Sequence, residues 1–262
     1  MPSVELLGLP YEGPEDFLRG TALAPSRLRW AMESIEDYSV YQHTTIPRFK
    51  DHGDLYVPSG PPAQVLETLF QQVHERVHPR SRWLFLGGNH AVTYVTVKAL
   101  LDHFPDLHVV HLDAHLDRRD TFEGNRWSHA CVIRRLEELL GPDRIHTFGY
   151  RSRAEEEPET GVPFEVFAPL QKQIPSLKGP LYLTIDLDVL DPSEFPAVTN
   201  PEPGGISFQE LQQAIALLKG RLVAVDVVEY NPLSSPALFP AVTGALLVRE
   251  LLITLAVDHP DV

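Results

Sequence analysis

Cysteine is all but missing. Cys131 is the only one in 262 residues, which excludes an intrachain disulfide and any metal site built from cysteine alone. Positive charge is short as well: Lys and Arg total 22 against 36 Asp and Glu, a net charge of −14. No run of Lys or Arg offsets this locally, and a surface so acidic repels phosphate backbones, so nucleic acid is not an expected partner. The field favours approach of a cationic small molecule, although the same charge also serves plain solubility. No apolar stretch approaches the ~20 residues that span a bilayer, so no membrane is expected. The opening Met-Pro-Ser-Val-Glu-Leu-Leu-Gly-Leu-Pro has neither a basic segment nor a long apolar one, and the expected compartment is the cytoplasm. Repeats, low-complexity tracts and linker-like stretches are missing too. Residues 1–262 are therefore read as one domain, large enough to bury about three quarters of its unfolded surface without disulfides.

What the chain does have is alternation. Short runs rich in Val, Leu and Ile predict strands at Val4–Leu9, Trp83–Leu86, Leu107–Leu112, Arg144–Phe148, Leu181–Ile185 and Leu222–Val228. Between them, helices are predicted at Pro25–Ile35, Pro62–Val77, Val92–His103, Cys131–Leu140, Ser207–Leu218 and Ala241–Ala256. Ser207 followed by Glu210 reads as a capping box. Strands alternating with helices imply crossover connections and an α/β fold, a three-layer α/β/α sandwich around a mostly parallel sheet. Val57–Pro62 and the acidic Glu155–Glu159 read as surface loops.

Ligands of open parallel sheets bind beyond the carboxyl ends of the strands. Four predicted strands run there into ionisable groups: Gly87-Gly88-Asn89-His90, Asp113-Ala114-His115-Leu116-Asp117, Asp186-Leu187-Asp188, and Glu229. In extended chain, alternate residues share a face, which aligns Asp113, His115 and Asp117, and likewise Asp186 with Asp188. Counting His90, four carboxylates and two imidazoles then meet on one rim. Left alone, those carboxylates would repel and raise one another's pKa values; divalent cations remove the conflict. Oxygen-rich ligation with two histidines favours Mn²⁺, two per chain, over Zn²⁺. Glu229 follows six mostly apolar residues, where an unpaired carboxylate is costly to bury. His111 reads as a satisfied core residue, and Tyr94 and Trp127 as packing residues.

These motifs, with Ser128-His129, Asp186-Leu187-Asp188-Val189-Leu190-Asp191-Pro192, Pro201-Glu202-Pro203-Gly204-Gly205 and Glu229-Tyr230-Asn231-Pro232, resemble the arginase/agmatinase/formiminoglutamase family, the ureohydrolases, and are closest in pattern to agmatinase. Gly20-Thr-Ala-Leu-Ala-Pro25 with Arg29, and Asp51-His52-Gly53-Asp54, are similar to the family's N-terminal segments. The matches run in family order from about residue 20 to 250. The resemblance implies an arginase-like fold and hydrolysis of an agmatine-like guanidino compound to urea and an amine through a metal-bridging hydroxide. It makes His90, Asp113, Asp117 and Asp186 the ligands of one manganese, with His115 and Asp188 private to the other and Asp113 and Asp186 bridging. It also implies that Asp117 orients the hydroxide, that Glu229 holds the guanidinium and that His129 delivers a proton to the leaving amine. A homo-oligomer, trimer or hexamer, follows from the same resemblance.

The chain departs from the family pattern at Asn89, where Asp is common, at Ala130, in the Ala197–Asn200 loop and at Ser235, all expected near the substrate side. Arg119 and Asn125, in the Arg118–Trp127 loop, are expected to contact the substrate tail; the loop arginines either bind a tail carboxylate or pair with Asp120 and Glu123. The alternatives are hydrolysis of formiminoglutamate with release of formamide, favoured by Asn89 and Arg119 and opposed by His129, and a non-catalytic arginase-fold subunit. The zinc deacetylases of the same fold use a His-His pair, which this sequence does not contain.

Overall fold

Apolar runs without alternation become strands buried on both faces: Leu222–Val228 and Ser81–Gly87 are buried at every position. The computed structural model describes residues 3–257. Its strands are β1 (Ser3–Leu9), β2 (Tyr38–Ser39), β3 (Thr44–Thr45), β4 (Phe49–Asp54), β5 (Ser81–Gly87), β6 (His108–Leu112), β7 (Ile145–Tyr150), β8 (Val162–Pro163), β9 (Leu181–Asp186) and β10 (Leu222–Val228). The α-helices are α1 (Ala24–Met32), α2 (Pro62–His74), α3 (Val92–Leu100), α4 (Val132–Leu140), α5 (Phe167–Gln173), α6 (Phe208–Leu217) and α7 (Phe239–Leu255).

Eight strands form one sheet in the order β4-β1-β5-β10-β9-β6-β7-β8, and every neighbouring pair in it is parallel. Helices α1, α5, α6 and α7 pack on one face around Leu28, Leu170, Leu211 and Leu251. Helices α2, α3 and α4 cover the other around Leu69, Val95 and Leu136. The result is the expected three-layer sandwich. The paired strands β2 and β3 stand outside the sheet and are antiparallel.

Departures from expectation have local causes. β4 reads Phe-Lys-Asp-His-Gly-Asp and pairs only with β1. An edge strand can carry charge, and this one has no apolar run to reveal it. Arg29 holds it to α1 through Asp51 at 2.7 Å and through Asp54, so the two N-terminal motifs form one ion-pair clamp. At α6, Ser207 Oγ accepts the Glu210 N–H at 3.1 Å. The reciprocal half of the capping box is absent, because Glu210 Oε1 accepts from Phe167 N at 3.3 Å and ties α6 to α5.

Candidate metal centre and active-site cleft

The four strands that end in ionisable groups are neighbours in the middle of the sheet: β5, β10, β9 and β6. Beyond β5 the chain turns through Gly88, where a Cβ would lie 2.2 Å from Tyr11 O; glycine is what lets the first loop close over this turn. Asn89 Oδ1 then accepts the Ala91 N–H at 2.9 Å, and His90 points back toward the rim.

His90 Nδ1 lies 3.2 Å from a carboxylate oxygen of each of Asp113, Asp117 and Asp186. None of these contacts has hydrogen-bond geometry, so Nδ1 is a buried polar atom without a partner. Its other nitrogen sits 3.0 Å from Thr184 Oγ1. A lone pair aimed among acceptor-only oxygens is a set of electron donors lacking a cation. His115 makes the second group: its Nδ1 is 2.9 Å from Asp188 Oδ2 and 3.5 Å from Asp113 Oδ1. Asp113 therefore meets both histidines, one with each oxygen. Asp186 reaches only His90, and its Oδ1 accepts the Asp188 N–H at 2.9 Å. His111 bonds Asp113 Oδ2 at 2.8 Å and Thr147 Oγ1 at 3.1 Å, fully buried, a satisfied core residue that also orients Asp113.

Strand alternation is not what assembles these groups. β6 ends at Leu112, and Asp117 is turned back by a left-handed backbone with φ 52°. Asp186 caps a single 3₁₀ turn that carries Asp188. Left-handed conformations cost non-glycine residues about 1 kcal/mol or more and persist where the surroundings over-determine them. Glu229, just past β10, is another, at φ 63°.

Electrostatics agree with the geometry. Burial drives the Asp186 carboxyl well above its ordinary range, and the fields of Asp188 and Asp113 add to it. Burial also raises Asp188, helped by Asp113. Asp113 goes the other way, held despite its burial well below its ordinary value by His111, His115 and His90; it is Asp186 and Asp188 whose charge a divalent cation would favour. Two sets of these residues bring their donor atoms close enough together to hold a cation each: His90, His111, Asp113 and Asp117, and Asp113, His115 and Asp188, with Asp186 adjoining the first through His90.

The cluster floors a cleft of about 270 Å³ lined by His115, Asp117, Asp186 and Asp188 together with Glu229 and His129. Glu229 Oε1 accepts the His90 N–H at 2.6 Å. Burial pushes its carboxyl up to about 8, against the opposing field of His129, so the group is poised to take a cationic partner. His129 stands at about 9: burial opposes its charge, but the contact with Asp16 and the fields of Glu229 and Asp117 outweigh it. Ser128 caps the short turn that carries it.

The loop arginines separate. Arg118 is buried, donating to Glu137 at 2.7 Å and Thr147 at 3.1 Å, and Arg126 pairs with Glu138 at 3.1 Å; neither lines the cleft. Arg119 does, beside Phe122, and makes no ion pair among the described residues. Asp120 pairs with Arg135 instead, at 2.9 Å. Asn125 corrects the sequence reading: it does not line the cleft, because its amide nitrogen is spent on Glu15 at 3.2 Å and its oxygen on Trp127 N at 2.9 Å. Of the departures, Ala130, Val198 and Asn200 line the cleft, whereas Asn89 and Ser235 do not. Glu157 is no surface residue either; buried, it accepts from Arg118 N at 2.7 Å and Ala154 N at 2.6 Å.

Sequence reading missed Asp16, which sits behind His129 in a loop without a motif, and gave no role to Glu202, 3.6 Å from His115 Nε2. It also passed over Ser152 and Arg153 in the cleft wall. For Glu202 a signal existed, its place in a Gly-Gly motif.

Fold and site together define an α/β/α protein with a buried, cation-capable His/Asp cluster at the carboxyl end of a parallel sheet. Comparison narrows this: residues 2–254 match the Arginase family, and the chain belongs to it. It is 34% identical to an agmatinase of Halalkalibacterium halodurans over 95% of this chain and 90% of that protein. It is also 34% identical to an N(1)-aminopropylagmatine ureohydrolase of Thermococcus kodakarensis, over 86% of this chain and 81% of that one. The agmatine ureohydrolase structure of Thermoplasma volcanium superposes with a TM-score of 0.88 at 27% identity, covering 97% of this chain and 89% of that chain.

Proposed function

We propose that this ureohydrolase acts on agmatine or a closely related guanidino-amine, releasing urea and an amine with two Mn²⁺ per chain. The observation that carries the reading is the unpartnered His90 Nδ1 among three carboxylates, with buried Glu229 in the same cleft. Oxygen-rich ligation supports manganese. When bound, the two ions lower the pKa of water enough to make hydroxide available near neutral pH. Glu229 pairs with the guanidinium, whose charge offsets the cost of ionising a buried carboxylate. Asp117, on its left-handed turn, would orient the attacking water through a hydrogen bond. His129 gives a proton to the departing nitrogen, which leaves as a neutral amine. The agmatinase and aminopropylagmatine ureohydrolase relatives support an alkyl-amine tail, as does the acidic surface.

One continuous sheet drawing on residues 3–9 and 222–228 supports the reading of the chain as a single catalytic domain. Exposed Leu23, Trp30 and Leu233 around one depression support a homo-oligomer; a trimer or hexamer rests on the family resemblance alone. A lone, buried thiol at Cys131 suits the cytoplasm. No helix among the described residues is long and apolar enough to cross a membrane.

The unpaired Arg119 favours a second reading, a guanidino acid whose tail carboxylate it clamps. The test is a panel of agmatine, arginine, guanidinobutyrate and formiminoglutamate at equal Mn²⁺ loading. Urea from agmatine is the expected result. Preference for guanidinobutyrate that Arg119→Ala erases establishes the second reading. Formamide from formiminoglutamate with no urea from any compound, or one tightly held Zn²⁺ per chain, overturns both.

A further inference from the structure

Asp16 lies outside every recognisable motif, yet its carboxylate is buried directly behind the cleft histidine. Its Oδ1 lies 3.4 Å from His129 Nδ1, an ion-pair contact that does not yet have hydrogen-bond geometry, and accepts from Asn89 Nδ2 at 2.6 Å. Its Oδ2 accepts the Gly13 N–H at 3.0 Å. Gly13 permits this packing, since a Cβ there would sit 3.1 Å from both Asn89 Nδ2 and Asp16 Oδ1.

We propose that Asp16 is a positioning residue for proton delivery: its carboxylate accepts the Nδ1–H of His129 and leaves Nε2 as the nitrogen that serves the cleft. The inference rests on His129 as proton donor in the function proposed above.

The orientation of Asn89 decides what can face His129. Its Oδ1 accepts the Ala91 N–H at 2.9 Å, and a reversed amide would put two oxygens 2.6 Å apart at Asp16. Asn89 thus presents N–H groups to Asp16 and, at 3.3 Å, to His129 Nδ1. Two proton patterns compete. A bare Nδ1 accepts from Asn89; a protonated Nδ1 donates to Asp16. Only the second suits an acid. The Nε2–H bond breaks, an N–H bond forms on the leaving nitrogen, which keeps the electron pair of the broken C–N bond, and the ring is left neutral with its Nδ1–H intact. A ring bare at Nδ1 would be left an anion. A carboxylate acceptor selects the productive pattern, the logic by which a buried acid orients a catalytic imidazole. Asn89 gains a reason too: an aspartate there would set a second carboxylate against Asp16, where the amide donates to it.

The test reads the imidazole ¹⁵N resonances of the full chain loaded with Mg²⁺, which is diamagnetic, with His129→Gln to assign them. Neutral His129 is expected to carry its proton on Nδ1. In Asp16→Asn the proton moves to Nε2. Using the Mn²⁺-loaded enzyme, kcat falls at least about 10-fold, toward the ~10²–10⁴ that a general acid contributes, with KM and metal content unchanged. A wild-type Nε2–H tautomer, or an Asp16→Asn enzyme with full kcat, overturns the proposal. Should Asp16→Asn fail to fold, the wild-type tautomer decides. Absence of urea from every guanidino compound defeats the function proposed above, while the tautomer still judges the Asp16–His129 pair.

Discussion

The two ends of the same parallel sheet are both polar, and they are built in opposite ways. At the amino end, Glu5 on β1 meets His52 at 2.7 Å and Ser81 at 3.3 Å, and Ser81 also meets Ser3 at 2.7 Å and His78 at 3.0 Å. At the starts of β6 and β7, His108 bonds His146 at 3.1 Å, and His146 bonds Gln173 at 2.8 Å. Donors face acceptors in each of these contacts, although Trp83 Nε1 on β5 is buried without a partner. At the carboxyl end, acceptors face acceptors: three carboxylates surround an imidazole lone pair, and Asp117 and Glu229 sit in left-handed backbone. Buried polar groups are ordinarily satisfied. An end whose buried carboxylate and imidazoles meet donors or acceptors holds the fold, and an end whose carboxylates face one another awaits a cation.

The sharpest way to break this comparison is Asp186→Asn. Removing one ligand is expected to abolish turnover and lower bound metal. The metal-free chain should gain stability, since burial and the charges of Asp188 and Asp113 already oppose the Asp186 carboxylate. Each kcal/mol gained raises Tm by about 2–4 °C at this chain length. A metal-free variant less stable than wild type would make the carboxyl end structural after all. His129→Ala comes next: kcat should fall on the order of 10²–10⁴ with both metals retained, and unchanged kcat would remove it from the machinery.

How much of this contrast the sequence carries differs between the ends. The carboxyl end is written in dense local motifs, because each cation-capable group comes from one strand end: Asp113 with His115 and Asp117, Asp186 with Asp188. The strands themselves were legible from long apolar runs, and all six expected ones lie within a residue or two of their observed bounds. Alternation was the wrong reason for the clustering, since single turns after β6 and β9 do the work. The amino end was silent, because Glu5, His52 and Ser81 meet only through sheet register. Asp16 was silent for the same reason: its partners Asn89 and His129 lie far along the chain. Asn125 misled because a polar loop residue near a site has no sequence signal for where its amide is spent.

The amino end makes the reciprocal prediction. Glu5→Gln leaves Ser81 and His52 short of a charged acceptor and should cost about 1–2 kcal/mol of stability, read as a shift in denaturant midpoint, with urea release unaffected. Lost activity at full stability would erase the division of labour between the two ends.

The smallest effect expected is also the most specific to that end. Burial lowers His146 to about 4, and the field of His108 adds to the shift; burial lowers His108 as well, with Arg144 contributing. An unfolded histidine titrates near 6.5. The folded value lies below the unfolded one, so between the two the unfolded chain binds more protons. Stability associated with this group is therefore full above about pH 6.5 and is lost as pH falls toward 4. His146 is only partly buried, so solvent screening reduces the contribution to on the order of 1 kcal/mol. The measurement is denaturant unfolding of the metal-free chain at pH 7.5 and 4.5 for wild type and His146→Gln. Site carboxylates titrate alike in both proteins, so their difference isolates the imidazole. His146→Gln should lose less stability on acidification while turning over normally at pH 7.5. Equal losses would mean that the stacked imidazoles at this end take up a proton without strain, and that satisfaction of the amino end extends to the charged state of its histidines.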